Sequence, residues 1–101
     1  MPIQTRRDDN GQTLVISIEG RFDFSTHQAF RDAYEHGDPS VQDYIVDLSE
    51  TTYLDSSALG MLLLLRDYAG GDNARVVIEN CNSDVRRILS ISNFEQLFQI
   101  R

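Results

Sequence analysis

Leu54-Asp55-Ser56-Ser57-Ala58-Leu59-Gly60 is the stretch on which the fold of this 101-residue chain turns. A strand-like run, Tyr44-Ile45-Val46-Asp47-Leu48, precedes it, and a leucine-rich helical run, Met61 to Leu65, follows. The segment therefore joins a buried strand to a helix. A small hydroxyl at such a join sits where backbone N–H groups have no intrahelical partner. The same place suits an added phosphate, because a helix N-terminus carries partial positive charge. Two readings stand side by side: a helix cap and a covalent switch.

Upstream, Gln4 to Arg7 and Thr13 to Glu19 bracket Asp8-Asp9-Asn10-Gly11. Asn-Gly between two strand-like runs signals a hairpin. Leu14, Ile16 and Ile18 alternate with Val15, Ser17 and Glu19, so one face is apolar and the other mixed. That suits a strand covered mainly on one side. Ser25 with Gln28 three residues later fits a capping box, Phe30, Ala33 and Tyr34 fall at helical spacing, and Gly37 stops the helix before Pro39. Downstream, the helix from Ser56 runs to about Ala69 and ends at Gly70-Gly71. Arg75 to Glu79 reads as a third buried strand. Asn82 or Ser83 caps a helix with Val85, Ile88 and Leu89 on one face, and Phe94 to Ile100 closes the chain as a short helix or strand. The order β-β-α-β-α-β-α-(β) predicts one small α/β domain over residues 1–101, with a mixed sheet of four to five strands.

Composition narrows the class. A hydrophobic fraction of 41% is ordinary for a globular chain and argues against disorder. The longest apolar run, Leu59 to Leu65, is too short to span a bilayer. No charged start leads into an apolar stretch, so a cytoplasmic location is expected, without membrane insertion. Cys81 is alone, which excludes an internal disulfide and a cysteine metal cluster. The net charge is −7 and every basic residue is Arg. An acidic chain disfavours direct nucleic-acid binding and fits a basic protein partner.

Signatures of catalysis are missing. There is no P-loop, no G-x-G-x-x-G and no G-x-S-x-G elbow. His27 and His36 read as ordinary histidines, and no spacing supports a Ser-His-Asp triad. Asp23, Asp47 and Asp55 could be drawn as a Mg²⁺ cluster, but Asp47 and Asp55 read better as strand-end and helix-cap residues. No cofactor and no enzymatic activity are expected.

The helix that begins at Ser56 carries two stripes. At about 100° per residue, Ala58, Leu62, Leu65 and Ala69 share one side, with Leu59 beside it. Ser56, Gly60, Leu63 and Asp67 share the other, with Leu64 at its edge. The first stripe suits packing on a sheet. The second contains a glycine and ends in a charge. Its leucines either pack beneath a neighbouring loop or meet a partner protein.

Val46-Asp47-Leu48-Ser49 followed by Leu54-Asp55-Ser56-Ser57-Ala58-Leu59-Gly60 resembles the "DLS…(M/I)DSSGLG" signature of STAS-domain anti-sigma factor antagonists. Gly20-Arg21-Phe22-Asp23 resembles the family's "GxLD" segment, and Asn93 to Phe98 its C-terminal stretch, so the likeness spans nearly the whole chain. Ala58 departs from the family's usual Gly. The resemblance implies a STAS fold and phosphorylation at Ser56, or failing that Ser57. It implies an anti-sigma factor or serine switch kinase as partner, with a PP2C-type serine phosphatase restoring the unmodified form. Taken with the outer stripe of the helix, it leads to an expected partner surface of Asp23, Asp55, Ser56, Ser57, Gly60, Leu63 and Leu64. A second reading with the same helix surface is a soluble STAS subunit that binds the ATPase of a membrane lipid transporter, without phosphorylation.

Overall fold

A computed structural model describes residues 2–8, 11–35 and 39–101. The chain opens with strands β1 (Ile3–Asp8) and β2 (Thr13–Ile18), paired antiparallel from Ile3↔Ile18 to Asp8↔Thr13. This is the expected hairpin, although Asp9 and Asn10 of its turn lie outside the described residues. Helix α1 (His27–Glu35) leads to β4 (Asp43–Asp47), α2 (Ser56–Ala69) to β6 (Val76–Glu79), and α3 (Ser83–Ile91) to β7 (Gln99–Ile100). Two short strands stand between these units, β3 (Gly20–Phe22) and β5 (Thr51–Leu54). The main sheet has five strands in the order β1-β2-β4-β6-β7, parallel except at β1. The mixed α/β class read from the sequence is the class observed.

The second sheet, β3-β5, was not expected, and the main sheet explains it. β2 and β4 run parallel as far as Ser17↔Asp47. Beyond a break the same two chain segments pair again as β3 and β5, with Gly20↔Thr51, Arg21↔Tyr53 and Phe22↔Leu54. The chain turns at Gly20, whose φ of +80° suits a residue without Cβ. Thr51 ties the two halves together by donating its buried hydroxyl to the Ile18 carbonyl at 2.7 Å. One parallel pair is thus bent into two pieces, and both strands of its second piece point at helix starts.

The core occupies one face of the sheet. Leu14, Ile16 and Ile18 of β2, Val46 of β4 and Ile78 of β6 meet Phe30 and Tyr34 of α1, Leu62 and Leu65 of α2, and Leu89 of α3. The other sheet face carries the cross-strand row Arg6, Val15, Ile45, Val77 and Gln99. Val15 is nevertheless 1% exposed, so the mixed face of β2 buries more than its alternation suggests. Two terminal features correct the sequence reading. Ser25 does not cap α1: it lies inside a 3-10 turn, Phe24–Thr26, whose N-cap is Asp23, and Gln28 bonds Asp32 rather than the helix start. The closing segment is both a 3-10 turn (Phe94–Gln96) and a strand. Gly37, expected to stop α1, and His36 lie outside the described residues. Asn82, not Ser83, caps α3 through the Val85 N–H at 2.8 Å.

Candidate functional site

The paired strands β3 and β5 end on the same motif. Asp23-Phe24-Ser25 follows β3 and Asp55-Ser56-Ser57 follows β5. In each, the Asp carboxylate accepts two bonds from the Ser two residues on. Asp23 Oδ1 takes the Ser25 N–H at 3.0 Å and the Ser25 hydroxyl at 2.5 Å. Asp55 Oδ1 takes the Ser57 N–H at 3.0 Å and the Ser57 hydroxyl at 2.6 Å, and adds the Ala58 N–H at 3.2 Å. These are N-caps: short acidic side chains satisfy the first free N–H groups of a helical segment. The bonds hold both carboxyls below the usual carboxylate range. For Asp55 the chief cause is the Ser57 hydroxyl, and for Asp23 it is the Ser25 hydroxyl followed by Arg21.

The middle residue of each motif faces outward. Ser56 is exposed at the first position of α2, and among the described residues its hydroxyl has no hydrogen-bond partner. Ser57 is half-buried, with its hydroxyl committed to Asp55. At the equivalent place in the first motif stands Phe24, 73% exposed and stacked on His27 with ring centroids 5.6 Å apart. Sequence reading missed Phe24. The signal was the shared Asp-x-Ser spacing at residues 23–25 and 55–57, which laying the two segments over one another would have shown.

Both stripes of α2 lie as its periodicity predicts. Ala58, Leu62 and Leu65 are 0% exposed. Leu63 is 38% and Leu64 52% exposed, and Ser56, Gly60 and Asp67 are on the surface. A Cβ built on Gly60 would meet nothing within 4 Å, so the glycine leaves a flat step between Ser56 and the leucines. The two leucines diverge. Leu64 lines a groove with Arg31, Tyr34, Glu35 and Tyr68, where the Tyr68 hydroxyl donates to the Glu35 carbonyl at 3.1 Å and so caps the end of α1. Leu63 stays on the outer stripe with Ser56, about 10 Å further along the helix axis.

Arg21 links the first motif to the strand that leads into the second. It sits opposite Tyr53 in the β3–β5 register, with its guanidinium carbon 4.1 Å from the Tyr53 ring centre and its Nε donating to Asp23 Oδ2 at 3.0 Å. The structure thus gathers Asp23, Asp55, Ser56 and Ser57 at the ends of two paired strands and extends the surface along α2. Asp47 stands apart at the end of β4, accepting from the Ser49 N–H and the Asn80 side chain. Among the described residues no three His, Cys, Asp or Glu side chains group to hold a metal ion. No described helix is long and apolar enough to cross a membrane.

Comparison with known proteins agrees with this architecture. Residues 5–99 match the family model described as "Mlab, STAS domain". A STAS-domain containing protein of Pseudomonas aeruginosa (strain UCBPP-PA14) is 60% identical over 100 residues, 99% of each chain. Among solved structures, the anti-sigma factor antagonist SpoIIAA in its unphosphorylated form superimposes with a TM-score of 0.72 at 18% identity, covering 98% of this chain and 86% of that one. An anti-sigma factor antagonist from Mycobacterium paratuberculosis gives 0.76 at 22%, covering 97% and 84%. A sulfate transporter family protein from Wolinella succinogenes gives 0.76 at 12%, covering 88% and 75%. With a family match over nearly its whole length, and the fold it shares with anti-sigma factor antagonists, the chain belongs to the STAS-domain family.

Proposed function

We propose that the chain is an anti-sigma factor antagonist switched by phosphorylation at Ser56. The observation that carries this reading is the contrast between two adjacent serines: the Ser57 hydroxyl is bound to Asp55, while that of Ser56 is exposed at the start of α2. In the unmodified state the outer stripe of α2 binds an anti-sigma factor or a serine switch kinase. The kinase transfers the terminal phosphoryl group of ATP: the Ser56 oxygen forms the new P–O bond, ADP leaves, and the hydroxyl proton passes to the kinase. A PP2C-type phosphatase returns the serine by hydrolysis. The chain itself serves as substrate and binding surface and needs no cofactor.

Phosphorylation acts on binding rather than on folding. The added charge of about −1.5 to −2 is favoured by the helix N-terminus and opposed by Asp55, so the two local effects offset one another. Inside an interface the same group must shed its hydration, which costs several kcal/mol. Ser56→Asp should keep its melting temperature within about 5 °C of the parent, a shift worth at most about 1 kcal/mol in a domain of this size, while losing partner affinity. The assignment is tested by incubating the chain with its cognate kinase and mapping the phosphate by mass spectrometry. Robust labelling of Ser56→Ala would move the site elsewhere.

A regulatory subunit of a membrane transporter is the second reading, favoured by the fold shared with the transporter-family protein from Wolinella succinogenes. It requires no modification. Recovery of the chain in a stable complex with a transport ATPase, unaffected by Ser56→Asp, would select it.

A further inference from the structure

We propose that Arg21 is the counter-charge of the modified state: a phosphoryl group on Ser56 draws the Arg21 guanidinium away from Asp23 and is held by it across the β3–β5 pair. The inference rests on Ser56 as the modified residue and adds what the chain does with the phosphate.

Arg21 is paired with Tyr53, three residues before Ser56, and both point away from the buried Phe22 and Leu54. The Asp23 hydrogen bond holds the guanidinium above its ordinary range, and Asp55, the neighbour of Ser56, adds to this through space. The Phe22↔Leu54 pairing brings the residues that follow, Asp23 and Asp55, to the ends of adjacent strands, with Ser56 next in the chain. Only Nε of Arg21 is bonded to Asp23, and among the described residues no carboxylate engages its two terminal nitrogens. Those nitrogens are the fork that grips a phosphate with two parallel bonds. The side chain is 64% exposed, its contacts being the Asp23 carboxylate and the Tyr53 ring, and that ring supplies a flat surface on which the guanidinium can slide.

Charge decides the direction. A surface ion pair with one carboxylate is weak, and a phosphoserine dianion carries about twice the charge of Asp23. Asp23 does not need Arg21 to keep its place, because Ser25 occupies its other oxygen with two bonds. Transfer of Arg21 would leave Asp23 without its cation beside Phe24. Modification at the α2 junction would thus be felt at the α1 junction, through one side chain and without movement of the backbone.

The test installs phosphoserine at position 56 by genetic encoding, so that no kinase is needed, and follows the phosphate by ³¹P NMR as pH is varied. Asp23 and Asp55 stay ionised across the range, and His27 is followed separately by its imidazole protons. A cation favours the dianion, so removing it must raise the second pKa of the phosphate, which is about 6 in an isolated phosphoserine. Arg21→Gln is expected to raise it by about half a unit, a roughly threefold tighter hold on the proton, with Arg21→Lys, which keeps the charge but not the fork, restoring only part of the difference and added salt shrinking it. Arg6→Gln, a surface arginine paired with Asp8, serves as the control that leaves the titration unchanged. Superimposable titrations of the parent and Arg21→Gln would overturn the proposal. If Arg21 couples to the installed phosphate but the kinase labels another residue, the switch assignment fails and the coupling stands. If the kinase labels Ser56 and Arg21→Gln titrates like the parent, only the coupling fails.

Discussion

Leu62 and Leu63 are neighbours in the chain, identical in chemistry, and 0% and 38% exposed. The inner face of α2 packs Ala58, Met61, Leu62 and Leu65 against the sheet, while the outer face presents Ser56, Gly60, Leu63 and Leu64. A rotation of about 100° per residue is all that separates the two sets. Residue type alone says little about task in a leucine-rich helix. The phase of the helix against the sheet says nearly everything.

The largest test of that contrast is truncation on the inner face. Leu62→Ala should cost about 2–5 kcal/mol, the usual loss for a fully buried leucine. Leu63→Ala should stay within about 0.5 kcal/mol of the parent, as surface substitutions do. Urea denaturation of both variants decides the matter, and equal losses would place Leu63 in the core. Next in size is binding. Leu63→Ala should weaken the complex by more than about 1 kcal/mol if it lies at the centre of the contact, read by titration calorimetry against the partner. A smaller effect is expected at Gly60. Replacing it by Ala should stabilise the fold by about 0.5–1 kcal/mol, because an interior helical glycine is conformationally costly and the site is open. The same methyl group should weaken a partner that approaches the helix closely. A stabilised variant that binds normally would remove Gly60 from the interface.

The smallest effect concerns the cap at the start of α2. Asp55 has a carboxyl held below its ordinary range, chiefly by the Ser57 hydroxyl, so its contribution is complete above an unfolded value of about 4. That contribution is lost as pH falls through the lower folded value. Asp55→Asn still accepts the capping bonds but cannot titrate. Its urea midpoint should therefore match the parent closely near neutrality and fall less steeply in acid. An unchanged acid slope would mean that Asp55 is not linked to folding.

How much of this was legible varies with the range of the interactions. The hairpin, the bounds of α2 and both of its stripes follow from turn chemistry and periodicity over neighbouring residues, and they could be read directly. β3 and β5 could not. Gly20–Phe22 and Thr51–Leu54 are short, and they are strands only because β2 and β4 continue to pair beyond a bend. The cap of the first helical segment was misread for a related reason. Asp23 and Ser25 are both good caps, and the end of β3 chose Asp23. Phe24 went unseen because an isolated aromatic has no period, and its meaning lies in its equivalence to Ser56.

By itself the sequence determined the class of fold, the helix that carries Ser56, and which side of that helix is apolar. These depend on capping, glycine stops and a 3.6-residue repeat, all of which act within a turn or two of chain. Only the tertiary structure decided that Asp23 stands beside Asp55, that Arg21 lies on Tyr53, and that Phe24 and Ser56 crown twin junctions. Those placements join residues about 30 positions apart through a parallel strand pair, whose two strands are brought together by a long crossover and not by neighbouring residues.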